Sequence, residues 1–167
     1  MGYILKIDPE GNLAENQNSG VDLMARKDKG HYAKKHPSDR KIDQKLAEAV
    51  QDRTSEGGIS CAAAFKIVGD LEVSPLEVGF TIDVLEIRVT KCQLGLFGYN
   101  PPKGFVKPAE SVSSNLEDAI RKALVNDRLS CAAAWEIAER LGIGKMDVTG
   151  ACEALKIKIA SCQLGTF

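Results

Sequence analysis

The chain has 167 residues, 44% of them hydrophobic, and 22 Lys and Arg stand against 23 Asp and Glu for a net charge of −1. That is enough material for two small compact cores, and the near-neutral balance excludes an overall electrostatic pull toward nucleic acid or anionic lipid. No apolar run approaches the roughly 20 residues of a membrane span.

The opening Met1-Gly2-Tyr3-Ile4-Leu5-Lys6 lacks the charged-then-apolar plan of a secretion signal. A cytoplasmic location is therefore expected, in which the five cysteines would be thiols and not structural disulfides. Tyr3 to Ile7 alternates and ends at the turn Asp8-Pro9-Glu10-Gly11-Asn12, which predicts a short strand. Asn16 to Pro37 is polar and poor in apolar residues, so a mobile arm is expected, and residues 1–37 are expected to form an N-terminal strand and arm. Between Arg26 and Lys45 the charge is uneven, eight Lys or Arg against three Asp.

A first folded unit is expected over residues 38–108. Ile42, Leu46, Ala49 and Val50 recur at helical spacing, and Glu56-Gly57-Gly58 ends that helix. Ser60 is placed to cap a second helix from Cys61 to about Leu71, and Ser74 with Pro75 opens a third, through about Leu85. Ile87 and Val89 alternate with Arg88 and Thr90 as in a strand. Leu94–Phe97 and Phe105–Lys107, on either side of Gly98-Tyr99-Asn100-Pro101-Pro102-Lys103-Gly104, are compatible with a hairpin.

Residues 109–167 repeat the plan. Ser114-Asn115-Leu116-Glu117 reads as a capping box before the stripe Leu116, Ile120, Ala123 and Leu124. Ser130 caps a helix from Cys131 to Leu141, Gly142 turns, and a third helix covers about Lys145 to Leu155. Ile157 and Ile159 mark a closing strand. The repetition is literal: at an offset of 70 with no gap, 17 of the 54 positions in 44–97 are identical in 114–167, including Ser-Cys-Ala-Ala-Ala at 60–64 and Cys-Gln-Leu-Gly at 92–95. The chain is a tandem duplication, mainly α with short β-strands.

Three helices, a strand and a tight turn between helices two and three resemble the helix-turn-helix of winged-helix proteins. Ala138, Gly142 and Val148, followed by Ala151 and Leu155, match the small, turn and locking positions of that motif. Repeat one keeps Val78 and Leu85 but has Val68 and Glu72 at the small and turn positions. The resemblance implies two tandem winged-helix-like repeats, a DNA-binding or transcription-regulating role, and a third helix that enters a major groove while a wing touches phosphates. Arg88, Lys91, Lys103, Lys145, Thr149, Lys156 and Lys158 are then the candidate contacts to double-stranded DNA, with Lys107 beside Lys103 at the wing. The third helices are acidic and apolar, which sets against this a second expectation, that they dock a protein partner.

Four cysteines also recur: Cys61 and Cys131 open second helices, and Cys92 and Cys162 follow the strands 31 residues later. If each strand packs beside Ile59 or Leu129, each pair of thiols approaches, giving a candidate zinc or iron–sulfur site or a redox sensor. The competing reading is plain packing beside the Ala triplet, with no cofactor. Cys152, opposite Ile82, and Trp135, opposite Phe65, read as core. Gly95 and Gly165 suit positive φ, Phe97 and Phe167 are expected to fold back onto their own repeats, and Gln93 and Gln163 to satisfy buried backbone groups. His31 and His36 fall in the arm, and no glycine-rich phosphate loop follows a strand, so no enzyme is expected.

Overall fold

The computed structural model describes residues 31–99 and 105–167. The strand read at Tyr3–Ile7, the arm up to residue 30, and residues 100–104 with Lys103 lie outside the described residues. The described chain is mainly helical, with short strands.

Repeat one runs α1 (Gln44–Asp52), β1 (Gly58–Ser60), α2 (Cys61–Leu71), α3 (Pro75–Val84) and β2 (Arg88–Thr90). Repeat two runs α4 (Ser114–Lys122), β3 (Arg128–Ser130), α5 (Cys131–Leu141), α6 (Lys145–Ala154) and β4 (Lys158–Ala160). Helices α1 to α5 each begin where a side chain takes an otherwise orphaned N–H, and α6 begins at Gly144 without one. Asp43 Oδ1 accepts from the Leu46 N–H at 2.9 Å, and Ser60 and Ser130 accept from Ala63 and Ala133 at 3.1 Å. Ser74 and Glu77 form a capping box ahead of Pro75. Helix α4 starts one residue earlier than the sequence suggests, because Ser113 and not Ser114 is the cap.

The strands pair within each repeat. β1 lies parallel to β2 with Ile59 opposite Val89, and β3 lies parallel to β4 with Leu129 opposite Ile159. The hairpin expected from Leu94–Phe97 and Phe105–Lys107 does not form among the described residues. Cys92–Phe97 instead closes on itself: the Cys92 N–H donates to the Phe97 carbonyl at 3.1 Å and the Gly95 N–H to the Cys92 carbonyl at 2.9 Å. Those groups are spent within the loop and cannot serve a partner strand. Cys162–Phe167 closes identically, and both loops turn on a positive φ, +75° at Gly95 and +71° at Gly165.

The shared backbone plan extends to its unusual dihedrals. Positive φ occurs at Glu56 and Asn126, Gly57 and Asp127, Glu72 and Gly142, Glu86 and Lys156, Lys91 and Ser161, and Gly95 and Gly165. Every one of these pairs is 70 positions apart.

The two cores are interlocked. Val50, Ile59, Ala64, Ile67, Val78 and Ile82 of repeat one gather around Leu164 of repeat two. Ile120, Leu129, Ala134, Ile137, Val148 and Ala151 of repeat two gather with Cys92 and Leu94 of repeat one. Each closing loop therefore seals the other repeat. This corrects the expectation that Phe97 folds onto its own repeat: it packs on the second core and edge-on against Phe167, ring centroids 6.2 Å apart. Residue i meeting j while j meets i is the signature of a twofold interface, here inside one chain.

The third helices sit at the centre of this arrangement. In α3 the six residues Val78 to Asp83 are all buried, and in α6 the five from Val148 to Cys152 are. A helix covered on every side has no amphipathic stripe. Own-repeat packing covers one side of α3 and the Leu164 loop another, so close that a Cβ on Gly79 would lie 1.9 Å from the Leu164 carbonyl oxygen.

The chain ahead of α1 covers a third side. Far from being a mobile arm throughout, residues 31–43 lie on the fold, with a 3-10 turn at Tyr32–Lys35. The Tyr32 and Ala33 N–H groups donate to the Glu86 carboxylate at 2.9 and 3.2 Å. Lys35 Nζ and His36 Nε2 reach Asp83 Oδ2 at 2.9 and 2.8 Å. Phe80 lies beneath, with the His36 ring edge-on at 4.9 Å and the Arg40 guanidinium 3.9 Å from its centroid.

Candidate functional site

The twofold interface collects the chain's most repeated side chains. Phe65 of α2 and Trp135 of α5 meet with centroids 4.3 Å apart and ring planes tilted by 42°. Beside them lie the four recurring cysteines. All five cysteines are free, and Cys61, Cys92, Cys131 and Cys152 are buried. Cys152 packs in the core of repeat two, as its match to Ile82 suggests.

The strand pairing brings each helix-opening thiol beside the loop that follows the strand. Gln93 Nε2 stands 4.0 Å from Cys61 Sγ, and Gln163 Nε2 stands 3.5 Å from Cys131 Sγ. The two glutamines thus face thiols, where buried backbone partners were expected. Gln93 is further held by Lys145, whose Nζ donates to its Oε1 at 2.9 Å. The same ammonium lies over the Trp135 ring, 3.2 Å from its centroid, a cation–π contact.

Burial favours the protonated form of Cys61, Cys92 and Cys131. Burial pushes the Cys61 thiol up to about 11; the Gln93 N–H pulls it down, and charge on Cys92, Cys162 or Cys131 would push it further up. Burial likewise raises Cys92 and Cys131, the latter against hydrogen bonds from Gln163. A protonated, buried thiol is a poor nucleophile. A metal would have to displace those protons, and among the described residues no three ligating side chains gather closely enough to hold an ion. The contacts present at this centre are apolar packing and weak N–H···S hydrogen bonds.

The candidate DNA contacts separate into two groups. Arg88, Lys91, Lys156 and Lys158 are exposed. Lys145 is half-buried and committed to Gln93 and Trp135, and Thr149 is only 1% exposed, its hydroxyl donating to the Lys145 carbonyl at 3.4 Å. These two were read from helix three; burial withdraws Thr149 from solvent, and Lys145 is held by its two contacts. Lys107 is exposed.

Arg128 was not singled out by the sequence. The parallel register of β3 and β4 sets it directly opposite Lys158, and a three-residue strand gives no pattern from which that pairing could be read. Among the described residues none of Arg88, Lys91, Arg128, Lys156 or Lys158 has an ion-pair partner, whereas Arg53 pairs with Asp70 and Arg121 with Glu117. No described helix is long and apolar enough to cross a membrane. Comparison of the chain with protein-family models, with curated proteins and with solved structures gave no match.

Proposed function

We propose that the protein is a non-enzymatic, transcription-regulator-like DNA-binding module built from tandem winged-helix-like repeats that grips the phosphate backbone through its strand ends. The observation that carries this reading is the placement of Arg88 and Lys158. They hold matched positions on the two ribbons, both are exposed, and Lys91, Arg128 and Lys156 lie close by in sequence or register without ion-pair partners among the described residues. A duplex has local twofold symmetry, and a protein with matched cations on two related halves complements it. Third helices that are buried and acidic leave base reading aside, so the binding expected is salt-sensitive and weakly sequence-dependent.

The test is fluorescence anisotropy with a mixed-sequence duplex at low salt. Binding at about micromolar to tens of micromolar is expected, weakening steeply as salt rises. The double variant R88E/K158E would lose affinity equally on all sequences and flatten the salt slope by about two. No binding by the wild-type chain at tens of micromolar retires the reading.

A second reading has its own observation. Leu76, at the start of α3, is 63% exposed beside exposed Glu77, and one of its methyl groups lies 3.9 Å from where a Cβ on Gly165 would stand. This acidic-apolar corner suits a protein partner with a basic, apolar segment. A pull-down in which such a partner is lost from L76D but retained by R88E/K158E would support it over DNA binding.

A further inference from the structure

The two closing loops match in backbone but not in what lies on them. In repeat two the chain ahead of α4 reaches the Cys92–Phe97 loop: a Cβ on Gly95 would collide with Val106 Cγ2 and stand 3.4 Å from Met146 Sδ. Gly95 is buried there, and Val106, Met146 and Phe97 are half-buried. Seventy positions away, the same corner of repeat one is open. Leu76, which matches Met146, is 63% exposed, and Phe167, which matches Phe97, is 46% exposed. Gly165 is exposed, and among the described residues a Cβ on it would meet only Leu76 Cδ2, at 3.9 Å.

The difference traces to what stands on the third helices. At Gly150 no side chain intervenes, and the Ala109 N–H donates to the Gly150 carbonyl at 2.9 Å, which sets Val106 against Gly95. Phe80 holds that place in repeat one, 4% exposed, with the His36 ring edge-on at 4.9 Å and the Arg40 guanidinium 3.9 Å from its centroid. His36, the match of Val106, is engaged with Phe80 and with Asp83 Oδ2 at 2.8 Å. Lys35, the match of Phe105, brings only its ammonium to the Gly165 carbonyl, at 3.4 Å, and Leu76 stays uncovered.

We propose, resting on the reading of this corner as a partner site, that Leu76, Gly165 and Phe167 dock an extended segment of a partner protein in which a branched aliphatic residue precedes a cation. The matched corner supplies that form. There the chain sets Val106 on the glycine, and Lys107 lines the same groove as Asp147. Glu77 holds the place of Asp147 in repeat one; it is exposed and in no ion pair among the described residues. The partner's branched side chain takes the open space over Gly165 against Leu76, and its cation meets Glu77. No strand-end cation takes part, so the site is separate from the DNA-binding reading.

The test is a titration of the full chain, followed by amide nitrogen–proton correlation spectra, with the peptide Gly-Phe-Val-Lys-Pro-Ala, the sequence of residues 104–109. Saturable shifts at Leu76, Glu77, Gly165 and Thr166 are expected. L76D should weaken binding by about tenfold or more, as loss of a buried leucine contact does. Glu77→Gln, which keeps the capping box, should weaken it about two- to fivefold. The peptide carrying Val106→Asp should not bind. Absent shifts, shifts centred on Gly95 and Met146, or equal binding of the aspartate peptide overturn the extended-segment assignment. The pull-down with L76D and R88E/K158E judges the partner reading separately: a partner lost only from L76D, while the peptide fails, keeps that reading and overturns the form of the segment. Self-association that L76D abolishes gives the corner to a second copy, and Leu76 shifts on Tyr3→Asp in the chain alone give it to the chain's own start. Either result overturns a foreign occupant.

Discussion

Leu94 and Leu164 stand at matched positions of the two repeats, and each is buried in the other repeat's core, at 0% and 2% exposure. Truncating either to Ala removes the same contacts from opposite sides. Each change is expected to destabilise the protein by ~2–5 kcal/mol, measured by urea or guanidinium unfolding. Because each loop seals a core it does not belong to, L164A would destabilise repeat one at least as much as repeat two. Hydrogen exchange that weakens only in 114–167 would contradict this interlock.

Gly79 and Gly69 offer a contrast on neighbouring helices. An Ala at 79 would drive its Cβ into the Leu164 backbone, whereas at Gly69 nothing lies within 4 Å. Gly79→Ala should cost ~1–3 kcal/mol or more through overpacking. Gly69→Ala should stabilise by ~0.5–1 kcal/mol, as expected for an exposed helix interior. Thermal melts of the two variants moving in the same direction would refute the close approach.

Glu72 ends α2 in the left-handed region at φ 54°, where Gly142 sits in the other repeat. The side chain bears a strain that glycine lacks, so Glu72→Gly is expected to stabilise by about 1 kcal/mol. Gly142→Glu should destabilise by a similar amount. Denaturation midpoints of the pair decide the matter.

The buried thiols tie stability to alkaline pH. Cys61 and Cys152 are raised from 9.0 to about 11 by burial. Below 9 the thiols are protonated in the folded and unfolded chains alike, and their contribution is constant. Between 9 and 11 the unfolded chain releases protons that the folded chain retains, so stability falls as pH rises through that window. A Cys61→Ser variant should show a shallower alkaline decline. For the same reason a thiol reagent at pH 8 is expected to label the folded protein slowly and the denatured protein at once.

Much of this architecture was legible because it is local. The Ser caps at 60, 74 and 130, the turn at 142 and the alternation at 87–90 and 157–160 all place their elements by short-range chemistry. The offset of 70 announced the duplication, and the positive-φ pairs carry it into the backbone. Long-range information was hidden. Cys-Gln-Leu-Gly showed its glycine's conformation but not which repeat the leucine would enter, since the apolar pattern is the same for either core. The burial of Thr149 was equally obscured: its helix carries Lys145, Asp147 and Glu153, and what covers it, the 105–109 segment and the Cys92–Phe97 loop, lies outside the three-helix pattern of its own repeat. His36 illustrates the point, since its place over Phe80 and against Asp83 depends on residues 44 and 47 positions away.

The exchange of closing loops has a consequence for how the two halves can be separated. A protease that nicks the connection between Tyr99 and Phe105 would cut one covalent thread, yet each fragment would still hold a plug belonging to the other. The fragments should co-elute as a complex after cleavage, and when denatured and remixed they should complement each other back to the native spectrum.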